Sequence, residues 1–130
     1  MMARSKSGIA AGAAALLLVC GVVGAAVLPR VAPAREIRLV ARDMTYYVEG
    51  QSAPNPGLRI ARGEKVRIVL RNEDPGMTHD FTVSAWNLRM PPVAAGEEAR
   101  LAFSAPSEAG AAAYACSPHG QTMRGTMTVE

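Results

Sequence analysis

The sequence predicts an all-β fold, a single small β-sandwich or barrel, preceded by an apolar N-terminal leader. Seven prolines and eight glycines divide residues 35–130 into short runs. A proline costs about 3 kcal/mol inside a helix, so long helices have little room here. Apolar and polar side chains alternate within the runs, which is typical of half-buried strands. Turn residues separate the runs about every ten residues, as in sandwiches and barrels.

The leader has the pattern of an export signal. Arg4 and Lys6 give its first residues a positive charge, and residues 9–28 carry no charged side chain. A positive segment before an apolar one is typical of a secretory signal, and a stretch of this length also suffices to cross a bilayer. Residues 9–28 therefore belong either to a cleaved signal or to a membrane anchor.

Small residues after the apolar stretch favour cleavage. Ala32–Ala34 has the small side chains that a signal peptidase requires, with cleavage before Arg35. We therefore divide the chain into residues 1–34, a signal peptide or N-terminal membrane anchor, and residues 35–130, the folded domain. Either outcome places the folded domain in the periplasm or otherwise outside the cytoplasm.

The charge of the folded domain argues against nucleic acid as a partner. The whole chain has 14 basic and 11 acidic side chains and a net charge of +3. Arg4, Lys6 and Arg30 lie in the leader, so residues 35–130 carry 11 basic and 11 acidic side chains. A domain without excess positive charge lacks the electrostatic footprint of a phosphate-binding protein. We expect no nucleic-acid partner.

Strands are predicted where the alternation is clear. Between Lys65 and Asn72, the side chains of Val66, Ile68 and Leu70 share one face. Similar runs extend the prediction along the chain, and the strands predicted from alternation are 65–72, 81–84, 97–104 and 126–129. The third of these also has the propensity for a helical turn. Turn signals separate the strands at 54–57, 62–63, 74–76, 95–96 and 109–110.

The residues that carry chemistry lie at turns bordering the predicted strands. Residues 35–130 contain one cysteine and two histidines. Cys116, His119 and Met123 fall within eight residues on one loop. His79 lies upstream and shares strand parity with Phe81, so it faces the core. One thiolate, two imidazoles and a weak thioether are the ligand set of a blue-copper electron-transfer site.

Two other chemistries are compatible with these residues. Zinc could bind Cys116, both histidines and Asp80 in a tetrahedral site, but the thioether would then have no use. Cys116 and His119 could form a nucleophilic dyad, but no oxyanion hole is evident and both residues lie on one tight loop. Copper is favoured because it uses the complete set.

Three stretches of the sequence resemble the cupredoxins, the family of plastocyanin, amicyanin, pseudoazurin and azurin. The matching stretches are Gly63–Asn72, Thr78–Phe81 and Tyr114–Val129. The resemblance implies a Greek-key β-sandwich or barrel that binds one copper per chain and cycles between Cu(I) and Cu(II). It also implies that His79 and His119 are the imidazole ligands, Cys116 the thiolate and Met123 the axial thioether.

The sequence departs from its relatives at two places. Three residues separate His119 from Met123, whereas plastocyanin-like loops have four there and amicyanin-like loops two. Asp80 follows His79 where plastocyanin and azurin have asparagine. An ionised carboxylate only accepts hydrogen bonds, so Asp80 must find a donor, and Ser117 is the expected one. We also expect a buried carboxylate beside copper to lower the reduction potential.

The resemblance implies an electron carrier and not an enzyme. We expect a monomer that exchanges electrons with a redox partner protein such as a cytochrome or a membrane oxidase. The edge of the His119 ring would be the electron exit, ringed by apolar residues: Pro75, Gly76, Met77, Pro91, Pro92 and Pro118. The alternative function is copper delivery by a periplasmic chaperone with the same ligands. A fragment of a multicopper enzyme is disfavoured, because the sequence has no His-x-His pair.

Overall fold

The structure is a computed structural model, and it describes residues 32–130. The predicted export signal or anchor, including residues 9–28, lies outside the described residues. Within 32–130, no helix has the length and apolar character needed to cross a membrane. The predicted division at residue 34 therefore stays a prediction.

Two β-sheets make up the described part of the chain, which confirms the predicted fold class. Residues 32–130 form β1 Arg35–Arg42, β2 Thr45–Val48, β3 Leu58–Ile60, β4 Lys65–Asn72, β5 Thr82–Val83, β6 Leu88–Arg89, β7 Glu98–Ser104, β8 Gly110–Ala115 and β9 Arg124–Val129. One sheet has the strand order β2-β1-β4-β7 and the other β3-β9-β8-β5-β6. A short 3-10 helix, Ser84–Trp86, interrupts the second sheet's connection between β5 and β6.

The core lies between the two sheets and follows the predicted alternation in β4. Val66, Ile68 and Leu70 are fully buried. Val69, on the opposite face, is also buried, because it is flanked in register by Arg38 and Arg100. Long arginine side chains cover apolar surface with their methylene stems while their charged ends stay in water.

The structure refines two of the predicted strands, 97–104 and 81–84. The run from residue 97 forms β7 and not a helical turn. The run 81–84 is shorter than predicted, since β5 contains only Thr82 and Val83 and a 3-10 turn begins at Ser84. Thr82 is buried, and its hydroxyl donates to the carbonyl of Ala115 at 3.0 Å.

Parallel pairing of β1 with β4 gives the domain two distinct ends. Both strands start at one end, which we call the base pole and which contains residues 32–35 and 62–65. Both finish at the other end, which we call the loop pole. The loop pole consists of the β1–β2 turn at residues 43–44, the segment 73–80 and the loop 116–123.

Candidate metal centre

The loop 116–123 is shaped by its own backbone. The N–H of Cys116 donates to the carbonyl of Met123 at 3.0 Å, which closes the loop where β8 ends and β9 approaches. Inside the loop, the N–H of His119 donates to Cys116 at 3.2 Å, and the N–H of Met123 donates to His119 at 3.0 Å. These turns return the chain on itself, so Cys116 and His119 present their side chains to the same point.

His79 is held on the facing segment by a pair of backbone hydrogen bonds. Its N–H donates to Val93 at 3.1 Å, and the N–H of Val93 donates back to His79 at 2.7 Å. The His79 side chain is completely buried. The predicted inward orientation of His79 is therefore correct.

Three donor atoms converge at this point. The Nδ1 atoms of His79 and His119 lie 3.1 Å apart, and the Cys116 Sγ lies 3.8 Å from the first and 3.5 Å from the second. Cys116 is buried and His119 half-buried. A thiol and two imidazole nitrogens directed at one another in a largely buried site suit a cation that takes sulfur and nitrogen ligands. The donor set fits copper.

The Cys116 sulfur is buried in the apolar core and accepts a backbone hydrogen bond. The backbone N–H of Asp80 donates to Sγ at 3.4 Å. Burial raises the pKa of the Cys116 thiol in the metal-free protein, and the backbone N–H groups of Asp80 and His119 oppose that rise. Since the thiolate is the metal-binding form, a metal that binds here displaces the proton.

Met123 follows His119 into the apolar interior. Its side chain is fully buried in the core cluster that also contains Cys116. Met127 is buried too, but it lies within β9, paired with Leu58 on one side and Ala112 on the other. Met123 is on the loop and Met127 is in the sheet. The assignment of Met123 as the axial ligand stays a prediction.

Asp80 finds the donor that its charge requires. The backbone N–H of Ser117 donates to its Oδ1 at 2.6 Å, which confirms the expected residue and identifies the amide, not the hydroxyl, as the donor. The hydroxyl of Tyr46 donates to the carbonyl of Asp80. Asp80 thus joins the His79 segment to the Cys116 loop. Its carboxylate is outside the cluster of donor atoms, so it does not complete a tetrahedral zinc site.

Sequence reasoning missed the carboxylate behind His79. Asp74 was assigned only to a turn, yet its Oδ2 lies 2.8 Å from His79 Nε2. Asn72 supports the same segment, since its Oδ1 accepts the Asp74 N–H at 2.9 Å and its amide donates to Met77 and Val93. The sequence Asp-Pro-Gly is common in turns of every kind. No spacing rule distinguishes a turn whose aspartate contacts a nearby histidine.

Of the six residues expected to ring His119, Pro118 lines the surface depression beside it. The other five are exposed or, for Met77, half-buried, but they do not line that depression: Pro75, Gly76, Met77, Pro91 and Pro92. The structure adds Met44 and Arg124, which line a shallow depression together with His119. The β1–β2 turn therefore contributes to this surface, which the sequence did not indicate.

One family model matches most of the described domain. The model of copper binding proteins of the plastocyanin/azurin family matches residues 54–130, more than half of the chain. The matched segment contains His79, Cys116, His119 and Met123. No curated protein matches the chain.

Solved structures share the fold. Auracyanin A, a "blue" copper protein from the green thermophilic photosynthetic bacterium Chloroflexus aurantiacus, is 17% identical with a TM-score of 0.61, over 75% of this chain and 100% of its own. A reduced amicyanin variant is 26% identical with a TM-score of 0.51, over 78% of this chain and 87% of its own. The multicopper oxidase Fet3p, which functions in iron import, matches at 17% identity and a TM-score of 0.61, over 75% of this chain but 23% of its own.

Proposed function

The chain belongs to the plastocyanin/azurin family of copper-binding proteins, the cupredoxins, and on this premise we propose that it is an exported one-electron carrier and not an enzyme. One copper per chain would be bound by His79, Cys116 and His119, with Met123 as the axial ligand. The observation that carries the proposal is the convergence of the three donor atoms, which all lie within 4.8 Å of one another.

Rigidity of the donor residues supports electron transfer. When bound, copper would supply the one-electron couple between Cu(II) and Cu(I). Backbone hydrogen bonds hold both the Cys116 loop and the His79 segment. Because these bonds fix the backbone that carries the donors, little of the protein would rearrange when the charge at the site changes. The role requires no open coordination position and no substrate pocket.

The position of His119 supports its proposed role as the exit for electrons. It is the half-buried member of the donor set, whereas His79 and Cys116 are buried. A redox partner protein, such as a cytochrome or a membrane oxidase, would dock over His119 and the neighbouring Pro118. A small docking face suits a weak and brief encounter. We propose that the domain acts as a monomer outside the cytoplasm, either free after cleavage before Arg35 or anchored by residues 9–28.

A visible absorption spectrum of copper-loaded residues 35–130 tests the function. An electron carrier gives an intense blue or green band from thiolate-to-Cu(II) charge transfer, retained in the presence of a chelator. A copper delivery protein, the alternative, gives a pale or reduced sample that loses copper to the chelator. The second result would overturn the proposed function while leaving the fold and family unchanged.

A further inference from the structure

We propose that Asp74 is a positioning residue of the copper centre: its carboxylate holds the His79 ring from behind and lowers the reduction potential of the bound metal. The inference rests on the proposed function in so far as it concerns the potential. Its geometric part, the hold on the His79 ring, is a property of the metal-free chain and is tested separately.

The contact determines which His79 nitrogen faces the metal. Asp74 Oδ2 lies 2.8 Å from His79 Nε2, and the exposed fractions of the two side chains are 10% and 0%. A carboxylate only accepts hydrogen bonds, so Nε2 must carry the proton. The lone pair then lies on Nδ1, the atom that faces His119 and Cys116. A carboxylate behind a metal-binding imidazole fixes its tautomer and raises its basicity.

The Asp74 carboxylate is itself held in place. The backbone N–H of Asp43 donates to its Oδ1 at 2.6 Å, and the N–H of Met44 donates to its Oδ2 at 3.0 Å. With the contact to His79 Nε2, donors from two directions meet the carboxylate oxygens. These contacts fix the orientation of the Asp74 side chain against the His79 ring.

The charge of Asp74 is not cancelled by a nearby cation. Among the ion pairs of residues 32–130, the only partner of Asp74 is His79. Its negative charge therefore acts on the imidazole and, through it, on the metal. A negative charge close to the site favours Cu(II) over Cu(I), which lowers the reduction potential.

Asp74 also joins His79 to the surface around His119. The β1–β2 turn that it binds has positive φ at both central residues, 51° at Asp43 and 54° at Met44. Such a conformation is unfavourable for residues with a side chain, and the two hydrogen bonds to Asp74 stabilise it. Met44 lines the depression beside His119. One carboxylate thus supports the buried histidine and the turn that flanks the half-buried one.

The variant Asp74→Asn tests the electrostatic part. It preserves the size of the side chain and removes its charge. The matched control is Asp43→Asn, which removes a neighbouring charge from an exposed side chain without touching His79. A carboxylate that accepts the ring N–H of a metal-binding histidine is worth about 10- to 100-fold in metal affinity. We expect Asp74→Asn to bind copper about 10- to 100-fold more weakly and to raise the potential, with Asp43→Asn close to the wild type.

A second variant and a metal-free measurement keep the test decisive. Asp74→Glu retains the charge, and we expect its potential to stay nearer the wild type than that of Asp74→Asn. The ¹⁵N shifts of the His79 ring in the metal-free wild type should show the proton on Nε2. A proton on Nδ1 in that sample, or equal potentials for Asp74→Asn and Asp43→Asn, would overturn the proposal. The tautomer measurement decides on Asp74 even if the protein proves to deliver copper.

Discussion

Each donor of the copper centre has a different task, and the differences predict what a substitution does. Cys116 is buried and receives the N–H of Asp80, so it is the one soft anion available to the metal. His79 is fixed from behind by Asp74, while His119 reaches the surface. Met123, the proposed axial ligand, would contribute only a weak thioether. Loss of the thiolate should therefore abolish the coloured site, and loss of the thioether should only alter it.

We expect Cys116→Ser to remove the intense visible band of the copper-loaded protein. The band arises from charge transfer out of the thiolate, and a hydroxyl has no equivalent transition. The absorption spectrum at equal copper loading is the measurement, and Met127→Leu, a buried sulfur-to-carbon change within β9, is the control that should keep its colour. A Cys116→Ser protein with the full band would contradict the ligand assignment.

Met123→Leu should leave copper bound and the site coloured, with a raised reduction potential. The change keeps the volume of a fully buried side chain but removes the sulfur donor, and Cu(II) loses more donation than Cu(I). Met123→Gln should lower the potential, since its oxygen is a harder donor. Voltammetry checks both.

Met127→Leu separates the two methionines in the same experiment. Met127 lies in the sheet opposite Ala112, so its replacement should alter stability slightly and the potential hardly at all. If Met127→Leu shifts the potential and Met123→Leu does not, the axial assignment to Met123 is wrong.

At the residue scale, the sequence predicts the candidate ligands but not the side chains that hold them in place. Softness and spacing pointed to Cys116, His119 and Met123, because all three lie on one short loop. Asp74 was not predictable as a partner of His79. Its role depends on a turn that closes over it from β1, and no local pattern in residues 72–80 encodes that contact.

At the element scale, Tyr114 and Gly125 form one packing unit across β8 and β9. The two residues face each other in register, and the Tyr114 hydroxyl donates to the carbonyl of Pro56 at 2.6 Å. The ring lies over the position where a Cβ on residue 125 would be. Tyr114 also stacks on Phe81, with ring centroids 5.1 Å apart, so this unit packs against the segment that follows His79 and Asp80.

Gly125→Ala should destabilise the domain by about 1–3 kcal/mol, the usual cost of overpacking. The added methyl group would overlap the Tyr114 ring, which is held at its hydroxyl and cannot move freely. Gly110→Ala is the matched control, because a Cβ there meets no atom within 4 Å. Urea unfolding of both variants is the measurement. Equal midpoints would show that the ring gives way without cost.

Strand length explains part of what the sequence could predict. In β4 and β7 the alternation runs over seven or eight residues, which is enough to establish a period of two. The run 81–84 showed the alternation over only four residues, and its strand β5 has two. β3 and β6 have two or three residues each, too few to show any period, and β3 pairs with β9, which is distant in sequence.

At the scale of the whole molecule, the two sheets have an apolar core of their own. Aromatic and aliphatic side chains fill the space between the sheets. In residues 32–130, no buried side-chain nitrogen or oxygen lacks a hydrogen-bond partner. The metal-free domain should therefore be folded, with copper adding stability to a structure that already exists.

We expect the melting temperature to rise when copper binds. A ligand that binds only the folded state raises the free energy of unfolding by about 4 kcal/mol when its free concentration is about a thousand times its dissociation constant. Calorimetry of the metal-free and copper-loaded domain measures the difference, and Cys116→Ser should show a smaller rise. A featureless near-UV circular dichroism spectrum of the metal-free domain would show instead that metal and fold are inseparable.

The direction of β1 determines which end of the domain should be attached to an electrode. Its eight residues run from the base pole to the loop pole, a span of about 25 Å at the usual strand rise. In a domain fixed to an electrode by residues 32–35, the base pole lies against the electrode. The proposed redox centre at the loop pole is then separated from the electrode by the length of the sheet. Electron tunnelling weakens steeply with distance, so direct exchange would be slow. Immobilisation through the β1–β2 turn would bring the centre close to the electrode surface. Electron exchange with the electrode would then be much faster.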